Sequence, residues 1–179
     1  MVSLRKRPPI PVGRLGNMTS KSPIDGLDAR LISLLANEPR IGVLECARRL
    51  GVARGTVQAR LDKMLARGVI EGFGPQISPA ALGYTVTAFM TLEIRQLDGH
   101  HPVSRHLASI PEVLEAHTVT GSGDLMCRIV ARTNADLQRV IDLIVSFEGV
   151  TRASSVIALA EQVHHRTLPL VEAAVISRA

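Results

Sequence analysis

The amino-acid sequence predicts an α+β protein in which three N-terminal helices precede a β-α-β-β-α-β domain. The first part of the chain repeats apolar residues at helical spacing. From Val86 the apolar residues alternate with period two, which is typical of a strand with one buried face. Three further strand-like runs and two helical stripes follow. A chain of 179 residues with 46% hydrophobic residues is long enough for two small cores.

A proline or glycine follows each of the three predicted N-terminal helices. The first ends near Asn37 and the second at Gly51, while the third extends from about Arg54 to Arg67, before Gly68. The residues that give these helices their period are Leu27, Leu31, Leu34 and Leu35, then Leu44, Ala47 and Leu50, then Val57, Leu61 and Met64.

Residues 41–70 have the layout of a helix-turn-helix. Only residues 51–53 join the second and third helices, and the third has an apolar spine with polar residues around it. In this motif one helix braces and the next enters the major groove, so the sequence predicts binding to duplex DNA. The candidate DNA-binding residues are Arg48, Arg49, Arg54, Thr56, Gln58, Arg60, Lys63 and Arg67.

The position of a residue along the third helix predicts what it contacts. Arg54, Thr56 and Gln58 lie in its first turns, where base edges are normally reached. A glutamine can bond adenine through two atoms, and an arginine can bond guanine in the same way. Lys63 and Arg67 lie farther along and are expected to meet phosphates, which position a protein without specifying sequence.

Three arginines have two open interpretations. Arg60 either contacts a phosphate, which is the preferred interpretation, or braces the fold through a neighbouring carboxylate. Arg48 and Arg49 are candidates for contacts to the DNA backbone, and a plain surface role explains them equally well.

Charge divides the chain in a way that agrees with a nucleic-acid module at its N-terminal end. Residues 1–74 contain thirteen Lys and Arg against six Asp and Glu, whereas residues 75–179 contain eight against ten. The chain has one Tyr, three Phe and no Trp. Proteins that bind single strands stack bases on aromatic side chains, so this composition argues against that class.

The β-α-β-β-α-β order of the second half predicts a ferredoxin-like domain, with four strands in one sheet and two helices on one face. The other face is uncovered, and its partly apolar residues predict a homodimer. The predicted elements are a strand at 86–94, a helix around 103–110, strands at 113–120 and 125–131, a helix around 137–145 and a strand at 152–160.

A glycine-rich turn joins the second and third strands and is the candidate effector site. Its backbone N–H groups can hold a carboxylate, and its aspartate can receive an ammonium group. The alternative is a plain hairpin turn in which the aspartate caps its own backbone. The candidate residues are Thr120, Gly121, Ser122, Gly123 and Asp124.

Other features exclude several classes of protein. Cys46 and Cys127 each lie in an apolar pattern and are predicted to be buried thiols, and the six histidines lack metal-ligand spacing. We therefore predict no metal, no cofactor and no enzyme activity. The basic N-terminus lacks the apolar region of a signal peptide, and the uncharged run at 72–92 reads as a loop and then a strand. These features predict a cytoplasmic protein.

Taken together, the motifs resemble those of the leucine-responsive regulatory protein/AsnC family of bacterial and archaeal transcription regulators. The likeness covers roughly residues 24–168. The matching residues are Leu27-Asp28, Arg40-Ile41, residues 48–52, Thr56-Val57, Arg60-Leu61, residues 68–70, Gly72-Phe73, residues 119–121 and Asp124.

The resemblance implies a dimer through the C-terminal sheet, assembly into tetramers or octamers, and an amino acid or similar metabolite bound near the glycine turn. Two features depart from the family pattern. Ala53 and Gly55 stand where the family usually has a Ser or Thr cap and a larger residue, and the loss of such a cap costs about 1 kcal/mol. The family's acidic-aromatic turn is reduced to Gly-Ser-Gly-Asp, so the effector is expected to differ.

The predicted organisation is a disordered basic arm (1–23), a helix-turn-helix domain (24–74), a linker (75–84), a ferredoxin-like effector and oligomerisation domain (85–168) and a tail (169–179). Met18 is an alternative start. Two other functions fit this organisation. One is an architectural protein that coats DNA with little sequence preference. The other is a tetrapyrrole decarboxylase of the same architecture, whose Tyr and Arg are missing from residues 117–121.

Overall fold

The computed structural model describes residues 24–95 and 101–176, so the predicted basic arm and Met18 lie outside the described residues. The described chain forms two compact units, one of residues 24–74 and 165–176 and the other of residues 75–95 and 101–164. The elements in chain order are α1 (Gly26–Asn37), α2 (Val43–Leu50), α3 (Arg54–Ala66), β1 (Val86–Ile94), α4 (His101–Ser109), β2 (Val113–Thr118), β3 (Leu125–Ala131), α5 (Asn134–Val145), β4 (Val150–Ala158) and α6 (Leu168–Ile176).

The first unit packs α1, α2 and α3 around one small core. Five of the residues whose spacing predicted the helices are buried in this core together with Cys46: Leu31, Ala47, Val57, Leu61 and Met64. Leu44, which was also predicted to face the core, is 70% exposed. Gly51 ends α2 in the left-handed conformation (φ 68°), which glycine adopts without a steric penalty. The predicted helix-turn-helix is therefore present.

Two carboxylates hold the beginning of α1. Asp25 Oδ1 accepts hydrogen bonds from the N–H groups of Leu27 and Asp28, each at 2.9 Å. Asp28 Oδ2 in turn accepts from the Asp25 N–H at 3.1 Å. This reciprocal capping box satisfies N–H donors that would otherwise lack an acceptor at the helix start. The positive end of the helix dipole favours the negative charge of the two carboxylates there.

The C-terminal segment differs from the predicted tail. Residues 168–176 form α6, which contacts α1 and belongs to the first unit. Its partly buried residues lie on one face at helical spacing: Leu168, Val171, Ala174 and Val175. Glu172 is the only charged residue of α6, so the sequence lacks the polar face from which an amphipathic helix is recognised.

The second unit has the predicted ferredoxin-like fold. Its sheet has the order β2-β3-β1-β4 with every neighbouring pair antiparallel. One face of the sheet packs against α4 and α5 and forms the core, in which Met90, Leu92, Ile129, Val140 and Ile144 are almost completely buried.

Two strands differ from prediction, and each of the three affected boundaries is shifted by two residues. The second strand ends at Thr118 rather than residue 120, because the Val119 N–H already bonds the Asp124 carbonyl across the turn (3.0 Å). The last strand is Val150–Ala158, earlier than the predicted 152–160. The segment 75–84, predicted as a linker, belongs to the second unit and contains one short 3-10 turn.

Cys46 and Cys127 are unpaired and buried, as predicted. Burial raises the pKa of the Cys127 thiol to about 11, so this sulfur is protonated and unreactive near neutral pH. Among the described residues, none of the helices has the length and apolar character needed to span a bilayer.

Candidate nucleic-acid interface and ligand turn

The exposed side of α3 divides into a central stripe and two flanks. Opposite the buried residues lies a stripe of small residues and one carboxylate. Small side chains allow the helix axis to come close to a groove floor. The stripe consists of Gly55, Ala59, Asp62 and Ala66, and the flanks carry Arg54 and Gln58 on one side and Thr56 and Lys63 on the other.

Gln58 is held by a neighbour one turn along the helix. Its Nε2 donates a hydrogen bond to Asp62 Oδ1 at 2.9 Å, and both side chains are exposed. Arg54, Thr56 and Lys63 are also exposed. Arg67 is the C-terminal cap residue of α3, so it lies at the opposite end of the helix from the first turns, where base edges are expected.

Arg60 has the contacts of the bracing interpretation. Its Nη1 donates to Asp25 Oδ2 at 2.7 Å and to Asp28 Oδ1 at 2.6 Å, which joins α3 to the beginning of α1. The Asp28 side chain is 10% exposed and that of Arg60 is 29% exposed. The hydrogen bond from the Asp28 N–H and the Arg60 guanidinium both lower the pKa of Asp25. The structure therefore gives Arg60 a bracing contact, and the preferred phosphate contact receives no support from it.

Arg48 and Arg49 are both paired with acidic side chains. Arg48 donates through Nε and Nη2 to the two oxygens of Glu45 at 2.8 and 2.7 Å. Arg49 Nε donates to Glu45 Oε1 at 2.8 Å, and its Nη2 donates to Glu38 Oε2 at 3.0 Å. The hydrogen bond from Arg48, followed in size by that from Arg49, lowers the pKa of Glu45 to about 2. Any phosphate contact by these arginines must compete with this carboxylate.

Replacing Glu45 with glutamine is expected to increase salt-dependent binding to random duplex DNA, because the variant removes the carboxylate that holds Arg48, whereas Arg49 keeps its contact with Glu38. The slope of log K against log salt should steepen by about 0.9 for each new phosphate contact. Filter binding over a salt series measures this slope. Glu148→Gln removes the same charge from an exposed site in the second unit and is the control. Equal slopes for the two variants would assign the arginines a plain surface role.

The beginning of α3 lacks a side-chain cap, as the departure at Ala53 predicted. Ala53 is the N-cap residue, and no side-chain hydrogen bond is made there. We expect Ala53→Ser to raise the free energy of unfolding of the first unit by about 1 kcal/mol, because a hydroxyl can accept from the free N–H groups. Urea denaturation followed by circular dichroism checks this value. Ala66→Ser, at the other end of the same helix, should give no stabilisation.

The glycine turn of the second unit folds back over the end of β1. The Asp124 N–H donates to the Leu92 carbonyl at 2.9 Å, and Asp124 Oδ2 accepts from the Ile94 N–H at 2.8 Å. A Cβ at Gly123 would lie 2.3 Å from Thr91 Cγ2, which is too close for any side chain. Thr120, Gly121 and Ser122 are exposed. The turn therefore has exposed residues, and one oxygen of the Asp124 carboxylate is used to hold the turn to β1.

The open face of the sheet carries apolar side chains. Phe89 on β1 lies opposite Val156 on β4, and the next pair on this face is Thr91 with Met126. Phe89, Met126 and Val156 are 40%, 42% and 64% exposed. The centre of the face also holds Arg128, whose Nε lies 3.0 Å from Glu115 Oε1. A second ion pair, between Arg152 Nη1 and Glu93 Oε1 at 3.6 Å, lies on the same face, which therefore combines exposed apolar side chains with charged ones.

The basic residues of the first unit were predicted from the sequence, whereas their particular acidic partners were not. Asp25 and Asp28 contact Arg60, and Asp62 contacts Gln58. Glu45 contacts both Arg48 and Arg49, and Glu38 contacts Arg49. Three of these contacts had a local signal in the sequence, because an i,i+3 or i,i+4 spacing relates Glu45 to its two arginines and Gln58 to Asp62.

Two family models match this chain. The AsnC-type helix-turn-helix domain matches residues 24–65, and the Lrp/AsnC ligand binding domain matches residues 87–168. The chain is 30% identical over 148 residues to the HTH-type transcriptional regulator FL11 of Pyrococcus horikoshii, an alignment that covers 83% of this chain and 97% of that protein. It is 31% identical over 118 residues to the regulatory protein AsnC of Escherichia coli, covering 66% and 78% respectively.

Solved structures of such proteins have the same fold. The structure of E. coli AsnC superposes with a TM-score of 0.75 at 28% identity, covering 82% of this chain and 99% of that one. The feast or famine regulatory protein from M. tuberculosis, complexed with L-methionine, gives 0.70 at 26% identity, covering 79% and 95%. Both the helix-turn-helix and the ferredoxin-like domain agree with these matches, and this chain belongs to the Lrp/AsnC family of DNA-binding transcriptional regulators, with an N-terminal helix-turn-helix domain and a C-terminal ligand-binding domain.

Proposed function

We propose that two copies of this chain bind a pseudo-palindromic site in duplex DNA and that an amino acid or related metabolite at the second unit changes this binding. The observation that carries the proposal is the exposed face of α3, where Arg54, Thr56 and Gln58 surround a stripe of small residues. Such a helix can lie deep in a major groove with its flanking side chains against base edges. We also propose a cytoplasmic location, which agrees with a DNA partner.

Dimerisation is supported by the open face of the sheet. Phe89, Met126 and Val156 expose apolar area on one surface. A second copy of the same face, related by a two-fold axis, would bury this area and set two recognition helices on successive half-sites. Larger assemblies of such dimers, tetramers or octamers, belong to the same proposal.

An amino acid is the proposed effector class because the glycine turn has groups for both of its charged ends. The N–H groups of residues 121–123 are assigned to the carboxylate, and Asp124 Oδ1 is assigned to the ammonium group. The M. tuberculosis relative complexed with L-methionine supports this class. The panel of amino acids in the binding experiment identifies the side chain that the site prefers.

Selection from a pool of random duplexes at fixed, near-physiological salt tests the proposal. The wild-type chain is expected to enrich a pseudo-palindrome with a preference of about a thousandfold or more over random DNA. Arg54→Ala and Gln58→Ala should fold and lose preference at individual base pairs. A panel of amino acids added to the complex should then reveal one that changes its affinity or assembly state. Equal, salt-sensitive binding to all duplexes would favour a DNA-coating protein instead.

A further inference from the structure

We propose that Asp62 is a positioning residue that makes Gln58 select adenine over guanine. The inference rests on the proposed function, in which Gln58 meets a base edge. It concerns the contact between Gln58 Nε2 and Asp62 Oδ1, which is 2.9 Å long and lies on the exposed side of α3.

The carboxylate determines which way the amide of Gln58 faces. An ionised carboxylate only accepts hydrogen bonds, so the amide nitrogen must be the group directed toward Asp62. The opposite orientation would set the amide oxygen against a carboxylate oxygen, and the two would repel. Asp62 therefore removes the rotational ambiguity that a free glutamine amide has.

The groups that remain on Gln58 match one base. After one Nε2 hydrogen is donated to Asp62, the amide has one N–H donor and the Oε1 acceptor left. In the major groove adenine presents an acceptor, N7, beside a donor, the N6 amino group. Guanine presents two acceptors, N7 and O6, so Oε1 would face O6 without a hydrogen between them. A glutamine without Asp62 could rotate and turn both N–H groups toward guanine.

A carboxylate on the recognition helix also carries a cost that a structural role would not require. Asp62 is exposed among basic side chains that are expected to meet DNA, and its charge opposes the phosphates. Removing it should therefore strengthen binding to random duplexes while weakening the choice between bases. Simple loss of folding cannot move these two quantities in opposite directions.

The chain contains a matched control. On α5, in the second unit, Gln138 Nε2 donates to Asp142 Oδ1 at 2.8 Å, which is the same residue pair at the same helical spacing. Asp142→Ala removes an equal charge and an equal helix contact. Because α5 is not the recognition helix, this variant should leave base preference unchanged.

The test uses the full-length chain and the DNA selected by the wild type. First, the base pair whose preference disappears in Gln58→Ala is identified. At that pair, the ratio of affinities for adenine and guanine is measured for wild type, Asp62→Ala and Asp142→Ala. The adenine is then replaced by 7-deazaadenine, which lacks the N7 acceptor. We expect Asp62→Ala to reduce the adenine-to-guanine ratio about tenfold, the size of one lost bidentate discrimination. We expect 7-deazaadenine to weaken the wild type by a similar factor and Gln58→Ala not at all.

Three results would overturn the inference. An unchanged ratio in Asp62→Ala would show that Gln58 reads its base without help, and the proposed function would stand. If Gln58→Ala kept the wild-type preference at every base pair of the selected site, Gln58 would not meet a base. Failure of the wild type to enrich any sequence would overturn the proposed function itself, and the inference with it.

Discussion

Arg60→Ala is expected to lower the free energy of unfolding of the first unit by about 2 to 3 kcal/mol, because the variant leaves two partly buried carboxylates without their cation. Arg60 Nη1 bonds both Asp25 and Asp28, and Asp28 is largely buried. Thermal and urea denaturation followed by circular dichroism measure the loss. Arg54→Ala, which removes an exposed arginine from the same helix, should change stability by much less.

The same variant separates bracing from phosphate contact. If Arg60 only braces, the salt slope of DNA binding measured below the unfolding transition stays at its wild-type value. A slope reduced by about 0.9 would return Arg60 to the phosphate contacts.

Acid should weaken the same brace. The folded state lowers the pKa of Asp25 below its ordinary value of 3.8. Its contribution to stability is therefore complete above that value and is lost as the pH falls below it. In Arg60→Ala the free energy of unfolding should depend less on acid pH. The dependence that is left should come from the backbone hydrogen bonds that Asp25 accepts.

Gly123→Ala is expected to destabilise the second unit by about 1 to 3 kcal/mol through overpacking. The added Cβ would lie 2.3 Å from Thr91 Cγ2 and 3.2 Å from the Leu92 carbonyl oxygen. Threonine is β-branched and stiff, and the carbonyl belongs to β1, so neither can move freely. The turn must then shift away from β1 and weaken the hydrogen bond between the Ile94 N–H and Asp124.

Urea denaturation and hydrogen exchange at the Ile94 amide measure this effect. Ser122→Ala changes the neighbouring exposed residue of the same turn without adding an atom, and it should behave like the wild type. If Gly123→Ala matched that control in stability and exchange, the close approach to Thr91 would not constrain the turn. If Gly123→Ala also lost the amino-acid response of the DNA complex, that loss would support the proposed effector site.

Much of the fold could be predicted because the relevant physics is local. Helical and strand periods depend on residues a few positions apart, so the order of elements and most of their boundaries followed from apolar spacing. The turn at Gly51 followed from the ability of glycine to adopt positive φ, which the structure has at 68°. The first unit's basic surface and the position of the recognition helix followed in the same way.

The partners of charged side chains could be predicted only in part. Arg60 and Asp28 are 32 positions apart in sequence, and only the packing of α3 against α1 brings them together. Two roles were therefore open for Arg60 from the sequence, and the contact with Asp25 and Asp28 favours the bracing role. The α6 helix was missed for a related reason, since its partly buried face exists only against α1.

Periodicity, caps and motif spacing are properties of neighbouring residues, so the amino-acid sequence was enough to predict the two-domain α+β architecture, the recognition helix and the family. Three features could be known only from the packed chain: Arg49 reaches Glu38 and Arg60 reaches Asp25, residues 168–176 join the first unit, and Gly123 lies against Thr91. These depend on distances between residues far apart in the chain, and only packing determines those distances.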